Sequence, residues 1–228
     1  MMYELLLAQS MASVLGNTVL RYNMTIGMYI VALGLGMFCY RKFKLNDEVQ
    51  RLIHVEALLS IIGTLSPFLI LGIDWLANAI VVLTGASYHG AVIQSGIFIA
   101  DHFLVFIIGF LSGFELPLLM DIGQKFHKNL KIKVLAIDYV GMMAAALMFP
   151  LVLLPTMGIF FIAGLVGLLN ALMAMLIIAR YYQGSLRIRY TGFYTILIFL
   201  LLAGMYYHQP ITQWTLEVLY YNTPEAGI

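Results

Sequence analysis

The sequence predicts an all-α, polytopic transmembrane helix bundle of about seven spans (six to eight), and three observations lead there. Only 12 basic and 11 acidic residues occur among 228, and 62% of the chain is apolar, against about 25% charged and 45 to 50% apolar in soluble domains. The apolar residues fall in long runs, near 3–20, 24–40, 52–73, 94–120, 132–154, 157–180 and 190–207. Most are close to the roughly 20 residues a helix needs to cross a bilayer core. The basic residues are gathered between runs: Arg41, Lys42, Lys44 and Arg51, then Lys125, Lys128, Lys131 and Lys133, then Arg180, Arg187 and Arg189. An excess of this kind marks cytoplasmic loops, so the three loops share one side. Seven spans then put the N-terminus inside and the residues after Tyr207 outside.

The first run opens at Met2 with neither a basic leader nor a small-residue cleavage site, so it is expected to persist as a helix rather than be removed as a signal peptide. The second carries Gly34 and Gly36, small residues of the kind that let bilayer helices approach closely. Cys39, the one cysteine, reads as a small buried residue and excludes an intrachain disulfide. After the third run, Asp74 and the polar group Ser87, Tyr88, His89 and Gly90 bracket Trp75 to Ala86. About twelve residues are too few to span, so a re-entrant or interfacial helix is expected. The fifth and sixth runs bring two more small-residue seams, Gly141 with Ala145 and Ala163 with Gly167, and the sixth carries Asn170. Asn17 and Asn170 are amides placed to bond across helices.

Residues 1–207 thus read as the bundle and 208–228 as an interfacial tail anchored by Trp214, Leu216, Leu219, Tyr220 and Tyr221. A weak internal repeat at an offset of 83 relates Lys42-Phe43 to Lys125-Phe126, and the Pro67 segment to the Pro150 segment.

A carboxylate inside a lipid-spanning helix costs about 2.5 to 3.5 kcal/mol, so it normally has a partner or a job. Glu115, in GFELPLL, and Asp138, in AIDYVG, stand in almost uncharged surroundings. Asp101 lies 14 residues before Glu115 and therefore within about 40° of it on one helix face. Pro117 lacks an amide hydrogen and frees the Gly113 carbonyl, so the backbone beside Glu115 is expected to be kinked and polar. Glu115, Asp138, Asp101, Pro117 and Asn170 are therefore the candidate binding residues. Asp138 has an ordinary alternative in a pair with Lys131 or Lys133, and Glu56 has one with Arg51 or His54. No catalytic motif and no metal-ligand spacing is present among His54, His89, His102, His127 and His208. No basic, aromatic-interleaved face suggests nucleic acid, and the sequence leaves the cofactor unknown.

The segments ELLLAQSMASVLGNTVLRYNMTIGMYIVALGLGMF, GFELPLLM and VLAIDYVGMMAAALMFPLVLLPTMGIFFIAGLVGLLNALMAML resemble the N-terminal membrane domain of integral membrane polyamine aminopropyltransferases, the spermidine synthase-like proteins. The resemblance runs from about Glu4 to Tyr207. It implies a bacterial cytoplasmic (inner) membrane location. In that family a soluble Rossmann-like synthase domain follows, and TLEVLYYNTPEAGI resembles only its beginning. Its nucleotide-binding glycines and catalytic aspartates have no counterpart here, so the activity does not carry over. The expectation is a non-enzymatic membrane subunit that binds a protein partner or a second copy of itself, and a polyamine or lipophilic small molecule. The alternatives are a transporter or channel for polyamine-like cations and, more weakly, a quinone- or haem-linked electron-transfer subunit resting on His102 and Trp75.

Overall fold

A computed structural model describes residues 1–15, 18–40, 42, 47–85, 87, 90–125 and 130–217. Asn17, Arg41, Phe43, Lys44, Ala86, Tyr88, His89, Phe126, His127, Lys128, Leu219, Tyr220 and Tyr221, used above, lie outside the described residues. The described chain is helical throughout: α1 (Met2–Leu15), α2 (Thr18–Cys39), α3 (Glu48–Thr84), α4 (Ala91–Gln124), α5 (Leu130–Met148), a π turn (Phe149–Leu153), α6 (Leu154–Tyr181), α7 (Gly184–Tyr206) and α8 (His208–Leu216).

Five segments are long and apolar enough to cross a membrane: Val19–Cys39, Glu48–Thr84, Ala91–Gln124, Leu130–Tyr181 and Gly184–Tyr206. The count of seven differs from this at two places. With 14 residues, α1 is about 21 Å long, short of the roughly 30 Å hydrocarbon core. Leu130–Tyr181 counts as one segment, yet Gly158 interrupts it at φ 72° and ψ 165°, a backbone that glycine adopts without steric cost. Two helical rods therefore meet at Gly158.

The expected interfacial helix at 75–86 is corrected by the structure, because α3 runs unbroken through Trp75 to Thr84. Asp74 looked like a helix end. Instead it is buried inside α3, with the Asn78 amide donating to it at 3.5 Å. Asp47 caps the start of α3 by accepting from the amides of Val49 and Gln50, and Gly85, at φ 67°, closes it by donating to the Val81 carbonyl. Pro67 leaves the Gly63 carbonyl without its helical donor, and the Ser66 hydroxyl donates to that carbonyl at 2.7 Å. That substitution keeps the helix straight enough to continue. Pro150, its counterpart in the offset-83 comparison, sits in the π turn instead, so the two prolines are accommodated differently.

The short α1 is the centre of the bundle. It packs against α2, α3, α4, α5 and α6, and Leu6, Leu7, Ala8 and Met11 are wholly buried. Near its start, the Tyr3 hydroxyl donates to the Leu59 carbonyl at 2.9 Å and accepts from the Asn170 amide at 3.2 Å, tying α1 to α3 and α6. Interhelical bonds of this kind are worth about 0.6 kcal/mol each. Tyr3→Phe is thus expected to cost about 1 kcal/mol, read as a lower thermal midpoint of the solubilised protein.

Four side-chain pairs gather one end of the bundle. Tyr40 donates to Asp121 at 2.7 Å, Lys125 pairs with Glu48 at 2.6 Å, Tyr182 donates to Asp47 at 3.2 Å, and Lys131 lies 3.7 Å from Asp121. The described parts of all three basic loops are therefore at the same end, as their composition predicts. From there α3, α5 and α7 run away and α2, α4 and α6 return.

Of the small-residue seams, Gly36 and Gly113 form the α2–α4 contact: a Cβ on Gly36 would collide with the Phe110 carbonyl oxygen, and one on Gly113 with that of Leu33. Gly167 meets Thr64 and Ser60 of α3 in the same way, whereas Gly34 and Gly141 face open space.

Candidate functional site

Near the basic end, α2, α3, α4 and α5 and the start of α1 enclose a cavity of about 550 Å³. Glu56 of α3, Glu115 of α4 and Asp138 of α5 all line it, with Ser112, Tyr139, Met1 and a mainly aliphatic remainder that includes Leu33, Leu116 and Leu119. Glu56 is only 5% exposed, while Glu115 and Asp138 are half-buried. Antiparallel packing of α4 and α5 produces the juxtaposition: Gly123 near the end of α4 faces Leu130 and Val134 at the start of α5, so the two acids come level. None of the three carboxylates has a hydrogen bond or ion pair among the described residues.

Of the surrounding polar groups, the Met1 amino group attracts Glu115 from beyond ion-pair distance and Tyr139 shares the wall, while two others are committed elsewhere. The Tyr29 hydroxyl donates to Ser112 at 2.9 Å, and Lys131 turns to Asp121 rather than to Asp138. Carboxylates left unpaired in an aliphatic wall carry a desolvation cost of several kcal/mol that a cation would offset. At 4 Å, a single such contact is worth about 4 kcal/mol for an effective dielectric constant near 20.

A second cavity of about 640 Å³ adjoins the first, sharing Met37 and Leu116, and is lined as well by Tyr40, Pro117, Met120, Asp121 and Lys131. It forms a vestibule between the acid cavity and the basic end. Burial, followed by the hydrogen bond to Asp121, pushes the Tyr40 hydroxyl up to about 12, so it stays protonated and donating at ordinary pH. Pro117 thus belongs to the vestibule wall rather than to the acid cavity.

The remaining candidates are placed apart. Asn170 is engaged with Tyr3. Asp101 shares the α4 face with Glu115, but about 21 Å further along the axis at roughly 1.5 Å per residue. It is completely buried, and neither carboxylate oxygen has a hydrogen-bond partner. Val105 and Ile108, both wholly buried, occupy the face between them, so one helix face does not make one site. Beside Asp101, His102 donates from Nδ1 to the Phe98 carbonyl at 2.8 Å and stacks on the Phe98 ring. The cost of burying the Asp101 charge exceeds the attraction of the Arg21 guanidinium, so Asp101→Asn, which breaks no hydrogen bond, is expected to have a thermal midpoint equal to or above that of the parent; a clear drop would show that the Arg21 attraction dominates. Among the described residues, no three His, Cys, Asp or Glu side chains are grouped to hold a metal ion.

Sequence reasoning missed Glu56, because a local pair with Arg51 or His54 explained it sufficiently. In the structure His54 Nδ1 bonds the Gln50 carbonyl and Arg51 lies over the Tyr40 ring. The signal available was that Glu56 lies inside the apolar run that begins at residue 52, with no further charged residue before Asp74.

A helical bundle of apolar, span-length segments around an acid-lined cavity defines the class. Comparison with known proteins supplies relatives. The chain is 28% identical to a polyamine aminopropyltransferase of Leptospira interrogans over 225 residues, 96% of this chain and 41% of that protein. It is 30% identical over 177 residues to polyamine aminopropyltransferase 2 of Ralstonia nicotianae, 76% of this chain and 31% of the relative, and 28% identical over 180 residues to that of Oceanobacillus iheyensis, 77% and 32%. The chain is thus a relative of the polyamine aminopropyltransferases, as its motifs suggested, and it spans about a third to two fifths of their length. No family model matches the chain, and no solved structure does.

Proposed function

We propose that this chain forms a multi-pass membrane domain that binds an organic polycation of the polyamine class in the cavity of Glu56, Glu115 and Asp138. The single observation that carries the reading is three unpaired carboxylates, from three different helices, converging on one largely aliphatic cavity. A linear polyamine presents charged amines separated by methylenes, and the alternation of acid and aliphatic lining suits both. Relatives named for polyamine chemistry favour this class over a metal or a monovalent ion. The basic end is the cytoplasmic one by the distribution of Lys and Arg, so the vestibule draws from the cytoplasm. The helical unit works alongside a catalytic unit, carried in the same polypeptide or supplied by a protein partner.

Support for binding rather than conduction comes from Val105 and Ile108, which fill the α4 face between Glu115 and Asp101. Isothermal titration of the detergent-solubilised protein with spermidine and with butylamine tests the reading. Spermidine is expected to bind saturably and at least tenfold more tightly than the monoamine. Equal, non-saturating responses would reject it.

A further inference from the structure

Away from the acid cavity, α7 leans on α6 and reaches α3 through Tyr190 and Tyr194. The Gln50 amide donates to the Tyr190 hydroxyl at 3.2 Å, the Tyr194 hydroxyl donates to the Ile53 carbonyl, and His54 meets the Tyr190 ring edge-on. Along this α3–α7 seam run two cavities of about 510 and 520 Å³ that share Phe193. The one at the basic end has Gln50, His54 and Arg189 in its wall, and Arg189 has no ion pair among the described residues. The other is walled by Phe68, Phe160, Ile196, Leu197 and Leu200, and the hydroxyl of Thr64, its polar side chain, is spent on the Ala163 carbonyl. Together they make one furrow that is cationic and polar at its mouth and apolar along its length.

From this polarity gradient we infer that the furrow is a binding site for an anionic phospholipid of the basic-end leaflet. The phosphate sits at Arg189 and His54, and an acyl chain runs past Phe193 along α7. Basic pockets between helices on the cytoplasmic side hold lipid headgroups in this way, and a guanidinium suits a phosphate by its forked donors. A zwitterionic lipid fits the apolar length equally well but brings its own cation to the mouth, so charge is the discriminating feature.

The inference rests on the membrane reading above but not on the cation site. Native mass spectrometry of the full chain in detergent, with phosphatidylglycerol and phosphatidylcholine of identical acyl chains, tests it. The parent is expected to retain phosphatidylglycerol at least fivefold better, and Arg189→Gln is expected to abolish that preference. Gly204→Phe, at a position where a Cβ meets only open space, fills the apolar stretch and is expected to reduce retention of both lipids. Equal retention by the parent, or an unchanged preference in Arg189→Gln, overturns the site. Spermidine titration of Arg189→Gln separates the two proposals: normal spermidine binding with lost lipid preference supports the lipid site, and a variant that keeps the preference rejects it whatever its spermidine affinity.

Discussion

Glu115→Gln is expected to weaken spermidine binding by at least tenfold while leaving the thermal midpoint unchanged or higher. The amide keeps the shape of the side chain and removes the charge that faces the ligand. Tenfold corresponds to about 1.4 kcal/mol, well below the roughly 4 kcal/mol a well-placed contact yields at an effective dielectric constant near 20. Stability is not expected to suffer, since the carboxylate has no hydrogen bond or ion pair to lose and the attraction of the Met1 amino group is smaller than the cost of burying the charge. The other two acids grade with burial. Glu56→Gln, at a position only 5% exposed, should match or exceed the loss, because water screens its charge least. Asp138→Asn, on an otherwise exposed helix, should lose less. Titration of the three variants checks the order, and a Glu115→Gln variant with parental affinity would remove the cavity from consideration.

The largest stability effect belongs to the α2–α4 seam. A methyl on Gly36 would strike the Phe110 carbonyl oxygen and come within 3.1 Å of the Gly113 Cα. Both are backbone, so no rotamer change relieves the clash, and the helices must separate. Overpacking costs typically 1 to 3 kcal/mol, and Gly36→Ala should lie at the upper end. Two residues away, Gly34 has nothing within 4 Å of its hypothetical Cβ. Gly34→Ala should therefore be neutral or stabilise by up to about 1 kcal/mol through helix propensity. Opposite signs in the thermal midpoints of the two variants are the expected result, and equal losses would contradict the seam.

The helices were legible because polar residues are scarce enough to outline the apolar runs. The errors came where a polar residue was taken for a boundary. The apolar runs 3–20 and 24–40 part at Arg21, yet α2 begins at Thr18 and includes it, with the guanidinium donating to Gln94 at 3.4 Å. Asp74 likewise sits within α3 rather than ending it. Arg21 is accommodated by a partner on another helix, Gln94 of α4, and Asp74 by burial beside Asn78 one turn further along its own helix.

The cavity was legible only in part. Glu115 and Asp138 stand out by their surroundings, but their convergence depends on α4 and α5 packing antiparallel with the acids level, and Glu56 comes from a third helix. Local pairing also misled: Lys131, seven residues before Asp138, is drawn to Asp121 of α4 and leaves Asp138 to the cavity. Which of two nearby acids a lysine chooses is set by helix orientation, and the sequence carries no local trace of it.

A structure of the solubilised protein determined with saturating spermidine decides whether the acid cavity is the polyamine site. Elongated ligand density is expected inside the bundle, with amines within hydrogen-bonding distance of Glu56, Glu115 and Asp138. A ligand located elsewhere, or a cavity unchanged at saturating spermidine, would contradict it.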